Sequence, residues 1–302
     1  MVTHHRKVLI GSILVLLTFF SLVFALTGPK YKYQFNSEIR KFSYDLTNGE
    51  RIFYASGCGS CHLDPSASDP DLILAGGLAL KTDFGTFYSP NISPDVNFGI
   101  GSWSISEFAD AIKNGLNPEG AHYFPSFPYT SYQGMSNADL VDLYYFIMSL
   151  IPSEKPNKPH ELHFPFSFRA SVGIWKHLYF YPNKMKSSKD TKGKYLVETL
   201  GHCAECHTPR TFLGGLDKKK SLAGAKSIKN EGAAPNITPH QTGIANWTVD
   251  DIANYLETGF TPDFDSAGSQ MVSVISNLSK IPKQDLVEIA IYLKSVEPIA
   301  SN

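Results

Sequence analysis

From residue 46 onward, apolar positions recur at helical rather than strand spacing, in short amphipathic runs opened by polar caps. Thr47-Asn48-Gly49-Glu50 has capping-box spacing and predicts a helix that leads to residue 58. Ser104-Ile105-Ser106-Glu107 opens a second helix that stops by Gly115. Ser136-Asn137-Ala138-Asp139 opens a third, rich in Leu, Tyr and Phe, ending at Ile151-Pro152. The plan then recurs. Lys189 to Gly201 leads to residue 203, Thr248-Val249-Asp250-Asp251 opens a helix to Gly259, and Pro282 to Ser295 is a terminal helix with Pro at N1. Pro65, Pro70, Pro90, Pro94 and several glycines make the section between the first two helices loop-rich, and the period-two alternation of a sheet is absent. The expected fold class is all-α.

The recurrence keeps register. Cys58 to Cys203 is 145 positions, Pro90-Asn91-Ile92 matches Pro235-Asn236-Ile237 at the same 145, and Trp103 matches Trp247 at 144. That pattern predicts two domains of one fold, 46–152 and 189–302. Residues 153–188 between them are basic, proline-bearing and aromatic rather than Gly/Ser-rich, so they are expected to pack across both domains as a structured linker. Trp103 and Trp247 are expected near the functional pockets or simply in the core.

At the other end, His4-His5-Arg6-Lys7 precedes an uncharged run from Val8 to Leu26. Nineteen residues at about 1.5 Å each match one hydrocarbon core, and the basic flank keeps the N-terminus cytoplasmic. The expectation is a transmembrane anchor over 1–26 and a stalk over 27–45. A cleaved signal peptide, with Val23-Phe24-Ala25 as its site, is the alternative.

The 302 residues carry a formal net charge of −1, which leaves no basic excess to neutralise phosphates and argues against a nucleic-acid partner. Charge is uneven along the chain: 46–152 holds 11 acidic and 3 basic residues, whereas 153–188 holds 2 and 6. An acidic first domain suits steering of a basic partner, or merely a soluble surface.

The chemistry is carried by a pentapeptide that occurs twice, Cys58-Gly59-Ser60-Cys61-His62 and Cys203-Ala204-Glu205-Cys206-His207. Both read C-x-x-C-H, the c-type haem attachment signal. Two thiols a helical turn apart each add to a vinyl group of one porphyrin, and the following His supplies the proximal nitrogen. A redox dithiol or half a zinc site would explain one copy. Two copies that use all four cysteines point to two covalently bound haem c groups, leave no structural disulfide, and place the haem domains outside the cytoplasm. A distal ligand normally comes from the loop before the last helix of its domain. Met271 is the candidate in the second domain. In the first, Met135 leads, with His122 or no protein ligand as alternatives and Met148 read as core.

The chain resembles the membrane-anchored cytochrome c subunits of periplasmic alcohol, aldehyde and gluconate dehydrogenases. The resemblance rests on Leu74-Ala75-Gly76-Gly77, Ser89-Pro90-Asn91-Ile92-Ser93-Pro94-Asp95, Phe127-Pro128-Tyr129-Thr130-Ser131-Tyr132, Leu200-Gly201-His202-Cys203-Ala204-Glu205-Cys206-His207-Thr208-Pro209-Arg210 and Ala234-Pro235-Asn236-Ile237-Thr238-Pro239. It implies tandem cytochrome c folds behind the anchor, on the periplasmic side of a bacterial inner membrane. It also implies a dehydrogenase subunit as electron donor and a quinone, cytochrome or terminal oxidase of the respiratory chain as acceptor, with no catalysis by the chain itself. Met271 matches the family pattern, whereas many members place Met where this chain has Phe127. That departure leaves a rival reading, a peroxidase-like haem enzyme with an open distal position at the first haem.

Overall fold

The computed structural model describes residues 2–28, 43–64, 72–181, 191–226 and 232–301. Most of the expected stalk, the 182–188 part of the linker and Pro65 and Pro70 lie outside the described residues.

The first half is built on a helix crossing. Helix α2 (Leu46–Ala55) packs against α6 (Asn137–Met148), and the crossing point is Gly49. A Cβ there would come within 2.3 Å of the Asp142 carbonyl oxygen, so only a glycine lets the backbones approach this closely. The N-cap of α2 is Asp45, whose carboxylate accepts from the amides of Thr47 and Asn48, not the Thr47 expected from capping-box spacing. The other caps fall where the sequence places them. Helix α4 (Ile105–Asn114) carries the Ser104/Glu107 box and ends at Gly115 in the left-handed region, and Ser136 caps α6. Helix α3 (Cys58–His62) and the short α5 (Tyr129–Tyr132) complete this half.

The second half repeats the arrangement. A short α8 (Lys192–Lys194) runs on as a π-helical stretch, Tyr195–Leu200, and crosses α12 (Lys283–Ser295) at Gly193. A Cβ there would meet the Glu288 carbonyl oxygen at 2.1 Å. Helix α10 (Val249–Thr258) has the Thr248/Asp251 capping box and stops at Gly259, α9 (Ala204–His207) follows the second motif's first cysteine, and α11 (Met271–Leu278) precedes α12.

Two expectations need correction. The fold is not all-α: β1 (Ala79–Thr82) and β2 (Gly85–Tyr88) form an antiparallel hairpin, and β3 (Glu161–Leu162) adds to it, pairing Gly85 with Leu162 and Thr86 with Glu161. Strands of two to four residues are too short to show alternation, and β3 pairs from a distant part of the chain. Nor does the transmembrane anchor stand. The N-terminal segment is helical, α1 (Val2–Thr27), but no helix among the described residues is long and apolar enough to cross a membrane. The uncharged run belongs to a longer helix that also contains His4 to Lys7, and its C-terminal end is tied to the protein. Thr27 accepts from His122 Nε2 at 2.7 Å and lies against Gly173 of α7 (Ser171–Tyr179).

The segment from Ser153 to Tyr181 touches both halves. Lys176 Nζ donates to the carbonyls of Asn114 and Gly115 at the end of α4. On the other side Trp175 Nε1 donates to the Leu213 carbonyl, and Tyr179 Oη meets Thr211 Oγ1 at 2.9 Å. The halves also pair directly, and reciprocally. Arg51 of α2 reaches across to Asp285 of α12 (2.5 Å), while Tyr195 reaches back to Asp139 of α6 (2.7 Å).

Candidate haem sites

Each C-x-x-C-H motif follows a residue in the left-handed region, Gly57 (φ 61°) before Cys58 and His202 (φ 36°) before Cys203. That residue breaks the preceding helix and starts a new turn, which carries both cysteines and the histidine. The four cysteines form no disulfide. Burial pushes the Cys58 and Cys203 thiols up to about 12, with the second cysteine of each motif adding to the rise.

The two histidines are held identically. His62 Nδ1 lies 2.8 Å from the Pro90 carbonyl oxygen, and His207 Nδ1 lies 2.7 Å from that of Pro235. A carbonyl only accepts, so Nδ1 carries the proton and Nε2 keeps a free lone pair. Burial pulls both histidines below their usual pKa, against a smaller opposing effect of the carbonyl bond, so the rings stay neutral. A neutral imidazole with its second nitrogen fixed by a carbonyl is the donor that haem iron takes on its proximal side. Two thiols and such an imidazole in one short turn fit haem c in both halves.

The loops that supply these carbonyls are braced alike. Asn91 Oδ1 accepts from the Ser93 amide and its Nδ2 donates to the carbonyls of Ser153 and Lys155; Asn236 Oδ1 accepts from the Thr238 amide and its Nδ2 donates to the Ile299 carbonyl. The amides of Gly76 and Gly224 bond the carbonyls of His62 and His207, both at 2.8 Å. The sequence shows the Pro-Asn-Ile repeat but not its purpose, which is exerted through main-chain atoms.

The motifs lie side by side. The Cys61 thiol is raised first by burial and then by Cys206 of the other motif. Ser60 of α3 accepts from Ser273 (2.8 Å) and Asn277 (2.9 Å) of α11, while Glu205 of α9 accepts from Thr130 of α5 (3.1 Å) and is paired with Arg210 (2.6 Å). Each motif therefore touches the loop-helix of the opposite half. Tyr132 stands between them, its hydroxyl donating to the Ser56 carbonyl at 2.6 Å and its ring against His202 at 5.3 Å.

Met271 begins α11, half-buried against the core. Met135 is 1% exposed, and its amide closes a turn onto Tyr132 directly before Ser136. His122 is buried and faces the linker. Trp103 and Trp247 pack against the main core in matching positions.

A diheme cytochrome c-type protein of Cereibacter sphaeroides is 48% identical over 260 residues, covering 84% of this chain and 87% of its own length. The chain belongs to the dihaem c-type cytochromes. The fructose dehydrogenase cytochrome subunit of Gluconobacter japonicus is 36% identical and the gluconate 2-dehydrogenase cytochrome c subunit of Pantoea cypripedii 33% identical, each over 83% of this chain. The chain spans 52% and 59% of those two subunits. No family model matches the sequence. As a member of this family the dihaem cytochrome carries two covalently bound haem c groups and relays electrons, and these relatives are named as a dihaem cytochrome and as cytochrome subunits of dehydrogenases. The peroxidase reading finds no support among them.

Proposed function

We propose that this dihaem cytochrome accepts electrons from a dehydrogenase subunit outside the cytoplasm and delivers them to a quinone, cytochrome or terminal oxidase of the respiratory chain. The observation that carries the proposal is the paired C-x-x-C-H turn with each histidine bonded to a duplicated proline carbonyl. The naming of relatives as dehydrogenase cytochrome subunits supports the donor. Cys58, Cys61 and His62 hold the first haem; Cys203, Cys206, His207 and Met271 hold the second. Each haem c, when bound, supplies a one-electron ferric/ferrous couple. The chain's own part is to fix two proximal imidazoles in one tautomer, keep them neutral, and set the two motifs adjacent, with Tyr132, Ser60 and Glu205 ordering the boundary.

The test is reduction of the holoprotein by its co-purifying dehydrogenase plus that enzyme's substrate, followed at the haem absorption bands. Both haems are expected to reduce, and His207→Gly to leave only the first reducible. Haems that stay oxidised while the dehydrogenase turns over with another acceptor would refute the relay.

A further inference from the structure

We infer that the first haem takes no thioether ligand from this chain: Phe127 stands where the second half presents Met271, and Met135 is a core residue. The inference rests on the two-haem reading above and concerns one coordination position within it.

The duplicated hydrogen bonds fix which residues correspond. After α4 the Tyr123 amide bonds the Gly115 carbonyl, and after α10 the Ala267 amide bonds the Gly259 carbonyl, both at 2.8 Å, an offset of 144. The matching bridges Leu116–His122 and Phe260–Ser266 have the same offset. Counting on from there, Met271 falls on Phe127. Further along, three successive bonds of the first half (Gln133 to Tyr129, Gly134 to Ser131, Met135 to Tyr132) recur at 146 as Ser279 to Ile275, Lys280 to Asn277 and Ile281 to Leu278. Two extra residues therefore enter the second half between these anchors, and even the larger offset sets Met271 against Pro125. No methionine stands at any corresponding position.

Met135 corresponds to Ile281 by the same pattern. Each is the residue before the N-cap of its last helix, and each is buried in the main core, at 1% and 6% exposure. A position that one half fills with isoleucine is a packing position, and methionine is an ordinary core filler. Phe127, like Met271, is half-buried against that core, with Tyr123 and Tyr132 both at 5.9 Å.

His122 does not substitute. It forms an isolated bridge to Leu116, and Phe124, two residues on, packs with Phe87 and Val172 rather than with the Tyr123–Phe127 pair. His122 Nε2 donates to the Thr27 carbonyl, which leaves Nδ1 as its free nitrogen, but that bond and the one from Arg169 Nη1 to the His122 carbonyl hold the residue toward α1 and the linker rather than toward Phe127. The first iron is thus left with a sixth position beside an apolar aromatic side chain, open to a small neutral ligand.

The experiment uses the two-haem holoprotein, with haem counted chemically, and carbon monoxide as the probe. The reduced protein is expected to bind one carbon monoxide per two haems, and the oxidised protein to show the sulfur-to-iron charge-transfer band of one haem only. Phe127→Met is expected to abolish the carbon monoxide binding and double the band, whereas Met135→Leu leaves both readouts unchanged. A wild-type protein inert to carbon monoxide, or a Met135→Leu variant that loses half the band, overturns the inference while leaving the relay intact. Fewer than two haems per chain overturns the relay reading, and the inference with it.

Discussion

Lys176 shows what a single buried charge does in this molecule. Its ammonium lies against the carbonyls that end α4 and 4.7 Å from the centre of the Tyr129 ring. Burial pulls its pKa from 10.5 down to about 7. The unfolded chain therefore holds a proton that the folded chain sheds between pH 7 and 10.5, and the unfolding free energy rises with pH across that window. Below pH 7 both states are protonated and the burial cost is present in full. Lys176→Met is expected to flatten the slope, which melting temperatures of both proteins between pH 7 and 9.5 will show. Single residues were legible where side-chain chemistry needs a fixed spacing, as for His62 and His207. They were not legible where the partner is a main-chain oxygen, as at Pro90 and Pro235, or where a side chain is buried by distant segments, as at Lys176.

Among elements, the glycine crossings decide stability. Gly193→Ala places a methyl within 2.1 Å of the Glu288 carbonyl, backbone that moves only if α8 and α12 separate. Overpacking of this kind costs about 1–3 kcal/mol, more than the ~1 kcal/mol that alanine gains in helix propensity. Gly268→Ala meets nothing within 4 Å and serves as the neutral control. Denaturant midpoints of the two variants, at unchanged slope, will separate them. Helices α4, α6 and α10 were legible because their caps are local: Ser104 and Thr248 sit three residues before an acidic partner, and Gly115 and Gly259 take the left-handed stop. The β1–β2–β3 sheet was not, because Thr86–Glu161 pairing depends on where the linker returns. The start of α2 moved because Asp45 reaches two amides and its own amide is held by Asp142 at 2.8 Å.

At the scale of the whole molecule, the halves are joined around Asp285. It is 1% exposed and contacts Arg51 of the first half and Lys192 of its own, each at 2.5 Å. Asp285→Asn leaves two cations without their counter-charge. Breaking a buried pair costs about 3–5 kcal/mol, and the solvent that reaches Arg51 and Lys192 reduces that to about 2 kcal/mol here. Asp139→Asn, which leaves one acceptor oxygen where Tyr195 and Asn48 now each have one, is expected to cost about 1 kcal/mol. A double-mutant cycle with Arg51→Met in thermal unfolding measures the first coupling. That the chain is duplicated was legible from the offsets of Cys58, Pro90 and Trp103. How the copies face each other was not, since no periodicity within one half records contacts made with the other.

The reciprocal pairing has a further consequence. Arg51 and Tyr195 are equivalent positions, as are Asp139 and Asp285, so one patch of surface meets a second copy of itself. This is an isologous contact, the geometry of a two-fold homodimer, realised inside a single polypeptide. Such a contact does not depend on the connecting segment for its specificity. Covalent linkage instead frees the two copies to diverge, so that one side holds an ion pair where the other holds a phenol, and one distal loop keeps its methionine where the other has phenylalanine.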